Sequence, residues 1–159
     1  MKAAAALAAL VTVAFVLAGC GGIRTYSDNS EKNLTIRTTT DDGSVFSKTR
    51  ASLHVYSVDN QCKKAYEGTV KLSSRTVEIG LPAGSLSYLV FEFYSSAFLS
   101  NTSSSITQST LLSPRVGAAY AANVRYKDDI YFVSMAETGA NANSSRELDL
   151  IPFEACSPG

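Results

Sequence analysis

The sequence predicts an all-β protein, a single antiparallel β-sandwich of about 7–8 strands. Apolar and polar residues alternate with a period of two in many segments, and these segments are rich in Thr, Val, Tyr and Phe. Turn-forming residues recur roughly every 8–12 residues, as expected for short strands. No segment after the first twenty residues shows the 3.6-residue apolar period of a long helix. A small closed β-barrel is the alternative architecture.

Four strands are predicted in the first half of the chain, over residues 34–39, 50–58, 66–72 and 76–81. In the second of them, Leu53 and Val55 point to one face and His54 points to the other. Asp-Asp-Gly-Ser at residues 41–44 and Asp-Asn-Gln at residues 59–61 are typical turn sequences. The second of these turns lies directly before Cys62.

The fifth strand, residues 86–94, carries apolar side chains on both faces, which indicates a central strand covered on both sides. It follows Leu81-Pro82-Ala83-Gly84, a turn in which proline fixes φ and glycine accepts a positive φ. This turn and the strand after it resemble those of small immunoglobulin-like or transthyretin-like domains of bacterial envelope proteins. The resemblance implies a Greek-key arrangement of the strands.

Residues 95–110 are rich in Ser and Thr and interrupt the even spacing of the strands. We expect an exposed loop, or a helical turn around residues 97–99 followed by a mobile tip, before extended structure resumes at residues 106–112. A long polar loop in a compact domain is often functional. We therefore expect it to be the partner-contact surface, with these contact residues: Phe98, Leu99, Asn101, Ser104 and Ile106.

The cleanest alternation covers residues 116–126 and predicts a β-hairpin with residues 130–137 through Lys127-Asp128-Asp129. A last strand is predicted over residues 146–151. Pro114-x-x-Gly117-x-x-Tyr120, at the start of the hairpin, resembles the tyrosine corner of Greek-key sandwiches. In that motif the phenol hydrogen-bonds to backbone across the corner, so the resemblance implies this role for Tyr120.

The amino-terminal end has the layout of an export signal. Lys2 supplies a positive charge, and the apolar run of residues 3–18 would span about 24 Å as a helix, less than the ~30 Å of a bilayer core. Leu17-Ala18-Gly19-Cys20 resembles the lipobox of bacterial lipoproteins. The resemblance implies cleavage before Cys20 and attachment of diacylglycerol and a further acyl chain such as palmitate to it. An ordinary signal peptide or an uncleaved anchor is the alternative.

Gly21 stands where an aspartate marks retention at the inner membrane, so the resemblance implies the outer membrane, with the domain facing the periplasm. Residues 20–33 lack a sustained apolar period and are expected to be a flexible tether with a reach of about 20 Å. Ile23 and Tyr26 could instead hold this tether against the domain. The expected organisation is a signal peptide over residues 1–19, a lipidated cysteine and tether over residues 20–33, and the sandwich over residues 34–159.

Three cysteines fit an exported lipoprotein, because Cys20 takes lipid and Cys62 and Cys156 are left to pair in an oxidising compartment. Removing Lys2 from the 14 basic and 14 acidic residues leaves 13 and 14, a net charge close to −1. No basic stripe is present, so we expect no nucleic-acid partner.

The sequence offers little for catalysis. His54 is the only histidine, and we expect it to be a surface or packing residue rather than a catalytic base. The pairs Asp41-Asp42 and Asp128-Asp129 lie in predicted turns and lack the spacing of a calcium loop. We therefore expect no catalytic residue, no metal site and no cofactor.

Together these features favour a lipid-anchored, non-catalytic protein that docks a partner in the periplasm or envelope. A periplasmic binding or inhibitor module for a ligand or a foreign enzyme is the alternative. An enzyme that uses carboxylates brought together only by the fold is the third and weakest hypothesis.

Overall fold

The computed structural model describes residues 23–41, 47–97, 102–127, 130–138 and 145–158. Within these ranges the chain forms nine β-strands and one short 3-10 helix. In chain order they are β1 Lys32–Asp41, β2 Ser47–Val58, β3 Lys64–Lys71, β4 Thr76–Gly80, β5 Leu86–Ala97, β6 Thr102–Leu112, β7 Ala119–Lys127, β8 Ile130–Thr138, β9 Ser145–Leu148 and the 3-10 helix Phe153–Ala155.

The strands form two separate sheets. The five-stranded sheet has the order β4-β1-β7-β8-β9 and the four-stranded sheet the order β3-β2-β5-β6. Each sheet keeps its own edges, so the predicted all-β sandwich is confirmed and the closed barrel is not formed. The described residues contain nine strands rather than the expected seven to eight.

One neighbouring pair departs from the expected antiparallel arrangement, since β1 and β7 run parallel, from Leu34 opposite Tyr120 to Asp41 opposite Lys127. The other neighbours are antiparallel. Short connections force antiparallel pairing in β2–β3, β5–β6 and β7–β8. No such connection joins β1 to β7, because the chain builds the whole four-stranded sheet between them.

The core lies between the sheets and is made by alternate residues of the strands. On β5, Leu89, Phe91 and Phe93 are almost completely buried, whereas Tyr88 and Val90 on the other face are half-buried. β5 lies between β2 and β6, which confirms the prediction of a central strand. The largest fully buried side chains elsewhere are Leu34, Ile36, Leu53, Leu81, Val55 and Val124.

The polar segment before residue 110 is folded differently from the prediction. β5 continues to Ala97 and β6 begins at Thr102, so residues 95–97 and 102–105 are strand rather than loop or helical turn, while the extended structure predicted from residue 106 is confirmed. Pairing with β5 decides this, because strand formation depends on cross-strand neighbours more than on the weak intrinsic preference of serine. Residues 98–101 lie outside the described residues.

Several strand limits also differ from the prediction, among them the starts of β2 at Ser47 and β3 at Lys64. β1 begins at Lys32, two residues before the expected start of the domain. β7 begins at Ala119, and Val116 lies in the preceding turn with 89% of its surface exposed. β9 ends at Leu148, after which the chain leaves the sheet. The predicted turns at residues 42–44 and 128–129 fall outside the described residues.

Candidate functional site

The described chain begins on the free edge of β3. The backbone N–H of Tyr26 donates to the carbonyl of Thr69 (3.0 Å), and the N–H of Thr69 donates to the carbonyl of Arg24 (2.7 Å). The hydroxyl of Tyr26 donates to the carbonyl of Gly80 (2.7 Å). Ile23 is 73% exposed. From Arg24 onward, the expected tether therefore lies on the sandwich, held by Tyr26 and not by Ile23.

The hydroxyl of Tyr26 is enclosed by this contact. Burial, together with the negative charges of Asp28 and Glu67, raises the pKa of Tyr26 to about 12. The phenol therefore keeps its proton and remains a donor throughout the neutral pH range.

The predicted disulfide between Cys62 and Cys156 is present, with the two Cα atoms 6.0 Å apart. Cys62 follows a turn in which the carboxylate of Asp59 accepts the N–H groups of Gln61 and Lys63, both at 2.8 Å. These bonds lower the pKa of Asp59, the one from Lys63 most. The disulfide joins this turn of the four-stranded sheet to the end of the chain.

Residues 149–158, which we call the C-terminal strap, run from β9 to this disulfide across the end of the four-stranded sheet. The carbonyl of Ile151 accepts the N–H of Leu111 (2.8 Å) at the edge of β6. The ring of Phe153 packs on Tyr88 (5.0 Å between centroids), and Nζ of Lys64 lies 4.4 Å from the centre of the Phe153 ring. The strap thus covers the C-terminal end of β6.

The rest of β6 is an open edge. β6 is eleven residues long, contains no charged residue and no proline, and keeps an unbroken register with β5. Natural proteins usually protect such edges with charges, proline, bulges or short strands. From Thr102 to Ser109, the described chain provides none of these devices.

The other three sheet edges in the described chain are protected. β4 has five residues and β9 has four, and β9 carries Arg146 and Glu147. β3 carries lysines at both ends, has a bulge in its pairing with β2, and is partly covered by Arg24–Tyr26. β6 is therefore the long unprotected edge among the four.

The direction of the backbone groups along β6 follows from Leu111. Its N–H points to Ile151 and thus away from β5. Backbone groups of successive residues point to opposite sides of a strand, and the register is unbroken. The N–H and C=O groups of alternate residues therefore face the open edge: Ser103, Ser105, Thr107 and Ser109.

Two of the predicted contact residues lie on this edge. Ser104 and Ile106 are exposed residues of β6, and Ile106 has 46% of its surface exposed. Phe98, Leu99 and Asn101 lie outside the described residues. Ser104 thus lies in a strand instead of the expected loop, Ile106 lies in a strand as expected, and their contact with a partner stays a prediction.

Gln108 joins β6 to the other sheet. Its side-chain amide donates to the carbonyl of Tyr131 (3.0 Å) and accepts the N–H of Val133 (2.8 Å). β9 pairs with β8 only from Met135 onward, so these two groups lie on the uncovered part of β8. The Gln108 side chain thus takes the place of a neighbouring strand. The sequence signal for this contact is weak, since Gln108 is a single amide residue among serines and threonines.

His54 lies in a polar cluster on the outer face of the four-stranded sheet. Its Nε2 is 2.8 Å from Oε2 of Glu92 and its Nδ1 is 2.7 Å from Oγ1 of Thr69, which also contacts the hydroxyl of Tyr66 (2.5 Å). Sequence analysis missed Glu92 because the pairing of β2 with β5 was unknown. Glu92, His54 and Thr69 thus place a carboxylate, an imidazole and a hydroxyl in a row. This order resembles a nucleophilic hydroxyl with a histidine base and the carboxylate that orients the base.

The accessibility of this row argues against that chemistry. Thr69 is only 5% exposed, and Arg24–Tyr26 lie on the strand that carries it. Its hydroxyl is shared between His54 and Tyr66, so it is not held free for attack on a substrate. His54, Thr69 and Glu92 themselves line a groove of about 590 Å³, which Arg50, Lys71 and Tyr94 also border.

A second polar cluster surrounds Glu137, which is 4% exposed. Its carboxylate accepts hydrogen bonds from Arg115, Arg146 and the hydroxyl of Tyr120. These hydrogen bonds hold the pKa of Glu137 below its ordinary value. The bond from Arg115 contributes most, and those from Arg146 and Tyr120 contribute less. The backbone N–H of Arg115 donates to the Tyr120 hydroxyl (3.0 Å), the bond implied by the tyrosine-corner resemblance.

In the described part of the chain, no three His, Cys, Asp or Glu side chains come close enough to hold a metal ion. Among these residues there is also no helix of the length and apolar character needed to cross a membrane. No protein-family model matches the chain, and searches of curated proteins and of solved structures give no match.

Proposed function

We propose that this chain is a lipid-anchored envelope protein whose non-catalytic sandwich docks an envelope partner by strand addition at the open edge of β6. The long, uncharged and unprotected edge between Thr102 and Ser109 carries this proposal. Cys20, in its lipobox-like sequence, is the proposed site of the lipid.

Strand addition uses groups that β6 already presents. An extended segment laid beside an open edge pairs with its outward N–H and C=O groups, which give affinity, while side chains give specificity. Four residues of β6 offer such groups in a regular series, and Ile106 offers exposed apolar area beside them. A polar loop would not present them in this order.

The position of the anchor is compatible with docking at β6. Arg24–Tyr26 lie beside β3, and the three residues from Cys20 to Ile23 span at most about 11 Å. β6 is three strands away from β3 in the same sheet, about 14 Å at the usual strand spacing. The segment that leads to the proposed anchor and the docking edge therefore lie at opposite edges of one sheet.

The test replaces Thr107 by proline. The N–H of Thr107 faces the open edge and not β5, so proline removes a donor to the partner and leaves the β5–β6 hydrogen bonds intact. Thr107→Val is the matched control, because it keeps the N–H and the branched shape. Both variants are expressed as the full chain, crosslinked mildly in membranes and recovered by pulldown.

We expect the yield of the crosslinked envelope partner to fall at least about tenfold in Thr107→Pro and to stay unchanged in Thr107→Val. Equal yields in the two variants would overturn docking at β6. Capture of a soluble foreign enzyme in place of an envelope protein would favour the inhibitor alternative.

A further inference from the structure

We propose that the partner at the β6 edge is a second copy of this chain, paired antiparallel about Ile106. This inference rests on the proposed docking at β6 and names its occupant. The two four-stranded sheets would then form one sheet of eight strands across a two-fold axis.

The sequence of β6 is nearly symmetric about Ile106. Thr102 and Thr110 are identical, as are Ser103 and Ser109, while Ser105 stands opposite Thr107 and Ser104 opposite Gln108. An antiparallel pair centred on Ile106 brings these residues together across the axis. At residues 103, 105, 107 and 109, hydroxyl groups then face hydroxyl groups, a favourable cross-strand combination.

The hydrogen-bonding phase of the strand fits the same centre. Outward backbone groups belong to residues 103, 105, 107 and 109, and a two-fold axis at residue 106 pairs 103 with 109 and 105 with 107. Each such pair exchanges two hydrogen bonds, so every outward group in this stretch is satisfied. A two-fold axis at residue 105 or 107 would also pair outward groups with outward groups, but it would pair different side chains and lose the near-symmetry of the sequence.

Charge favours self-pairing at β6 over the other edges. β6 has no charged residue, so two copies meet without repulsion, and the exposed Ile106 side chains cover one another. At the free edge of β3, in contrast, pairing with itself would bring lysines together. Of the two edges of the four-stranded sheet, β6 is therefore the one that favours a symmetric contact.

The anchors allow this contact on one membrane. The axis is perpendicular to the joined sheet, and the two β3 strands lie at its far ends, seven strand spacings or about 34 Å apart. Both amino-terminal segments reach the same bilayer when the sheet lies parallel to it. Confinement to the surface raises the effective concentration of the copies, which strengthens a contact made mainly of backbone hydrogen bonds.

Cysteine crosslinking tests the centre of symmetry. In the proposed pair, residue 106 faces its own counterpart in a non-hydrogen-bonded position, at a Cα separation of about 4.5 Å that suits a disulfide. Residue 104 lies about 14 Å along the strand from its counterpart, too far to be bridged. Ile106→Cys and Ser104→Cys are therefore compared in the full-length lipoprotein, oxidised in intact membranes.

We expect a disulfide-linked dimer in Ile106→Cys and at least about tenfold less in Ser104→Cys. Co-expression of Ser104→Cys with Gln108→Cys restores the dimer, because these two positions face each other. Adding Thr107→Pro to Ile106→Cys abolishes it. A single cooperative melting transition checks that each variant is folded, and that of Gln108→Cys is expected at a lower temperature because its amide contacts are lost.

A dimer from Ser104→Cys but not from Ile106→Cys overturns the proposed register. No dimer from any variant, with another envelope protein still lost from the pulldown of Thr107→Pro, overturns self-pairing and keeps docking at β6. No dimer and no such loss overturns both.

Discussion

At the residue scale, Gly68 determines where the amino-terminal segment lies. A Cβ atom at this position would stand 2.5 Å from the N and Cα atoms of Tyr26, closer than van der Waals contact allows. The absence of a side chain therefore lets the backbone of Arg24–Tyr26 approach β3 and bond to Thr69. Nothing in the alternation of β3 signalled this contact, because it involves a segment outside the strand pattern.

Gly68→Ala is expected to displace Arg24–Tyr26 and to lower the free energy of unfolding by about 1–3 kcal/mol. Limited trypsin cleavage after Arg24 should become faster as the segment leaves β3. Gly117→Ala is the control, since Gly117 has a positive φ of 73° but open space around its Cβ position. It should cost about 1–2 kcal/mol from backbone strain and leave cleavage after Arg24 unchanged. Equal cleavage in both variants would contradict the close-approach argument.

Glu137 gives a pH dependence with a definite sign. Arg115, with Arg146 and Tyr120, lowers the pKa of the folded carboxyl relative to the unfolded one. Its contribution to stability is therefore present above the ordinary glutamate pKa and is lost as the pH falls through the folded pKa. Glu137→Gln should reduce the drop in melting temperature between neutral and acid pH.

This expectation is checked by thermal melts at several pH values. Glu78→Gln is the control, because Glu78 is an exposed residue of β4. A Glu137→Gln protein with the acid dependence of the wild type would show that other carboxyl groups, such as Asp59, set it.

At the element scale, alternation predicted strands well wherever one face is buried. β7 is the clearest case, with Tyr120, Ala122 and Val124 buried in alternation as the pattern indicated. β6 was misinterpreted because both of its faces are polar over residues 102–105 and its stability comes from β5. Sheet order and the Gln108 contact were beyond reach, since they depend on long-range pairing that no local pattern encodes.

Gln108 is expected to connect the two sheets at their open side. Gln108→Met keeps the length of the side chain but leaves the Tyr131 carbonyl and the Val133 N–H without their partner, which should cost about 1–3 kcal/mol. Gln108→Glu retains an acceptor for Val133 and should lie between Met and the wild type. Urea unfolding measures both, and a Met variant as stable as the wild type would rule out a connecting role.

At the scale of the whole molecule, the disulfide was predictable because two cysteines remained once Cys20 was assigned to lipid. Its position in the fold was not, because the strap approaches Cys62 only after β9 leaves the five-stranded sheet. The lipidation of Cys20 stays a prediction, as does the membrane address. Both concern residues outside the described part of the chain.

Cys20→Ala is expected to abolish labelling of the chain by a fatty-acid analogue and to move the protein from the membrane to the soluble fraction, because two or more acyl chains are needed for stable anchoring. The double variant Cys62→Ser/Cys156→Ser is the control and should keep both label and membrane association. Label retained in Cys20→Ala would show that the lipobox-like sequence is not used.

The C-terminal strap also determines how much of the β6 edge is open. Ile151 occupies the N–H of Leu111 while the end of the chain is fastened at Cys62. When both thiols are reduced, the strap is no longer fixed to Cys62. The open edge of β6 then gains the backbone N–H and C=O groups of Leu111 at its apolar end. Under the proposed docking at β6, the bridge therefore leaves the stretch from Thr102 to Ser109 as the open edge.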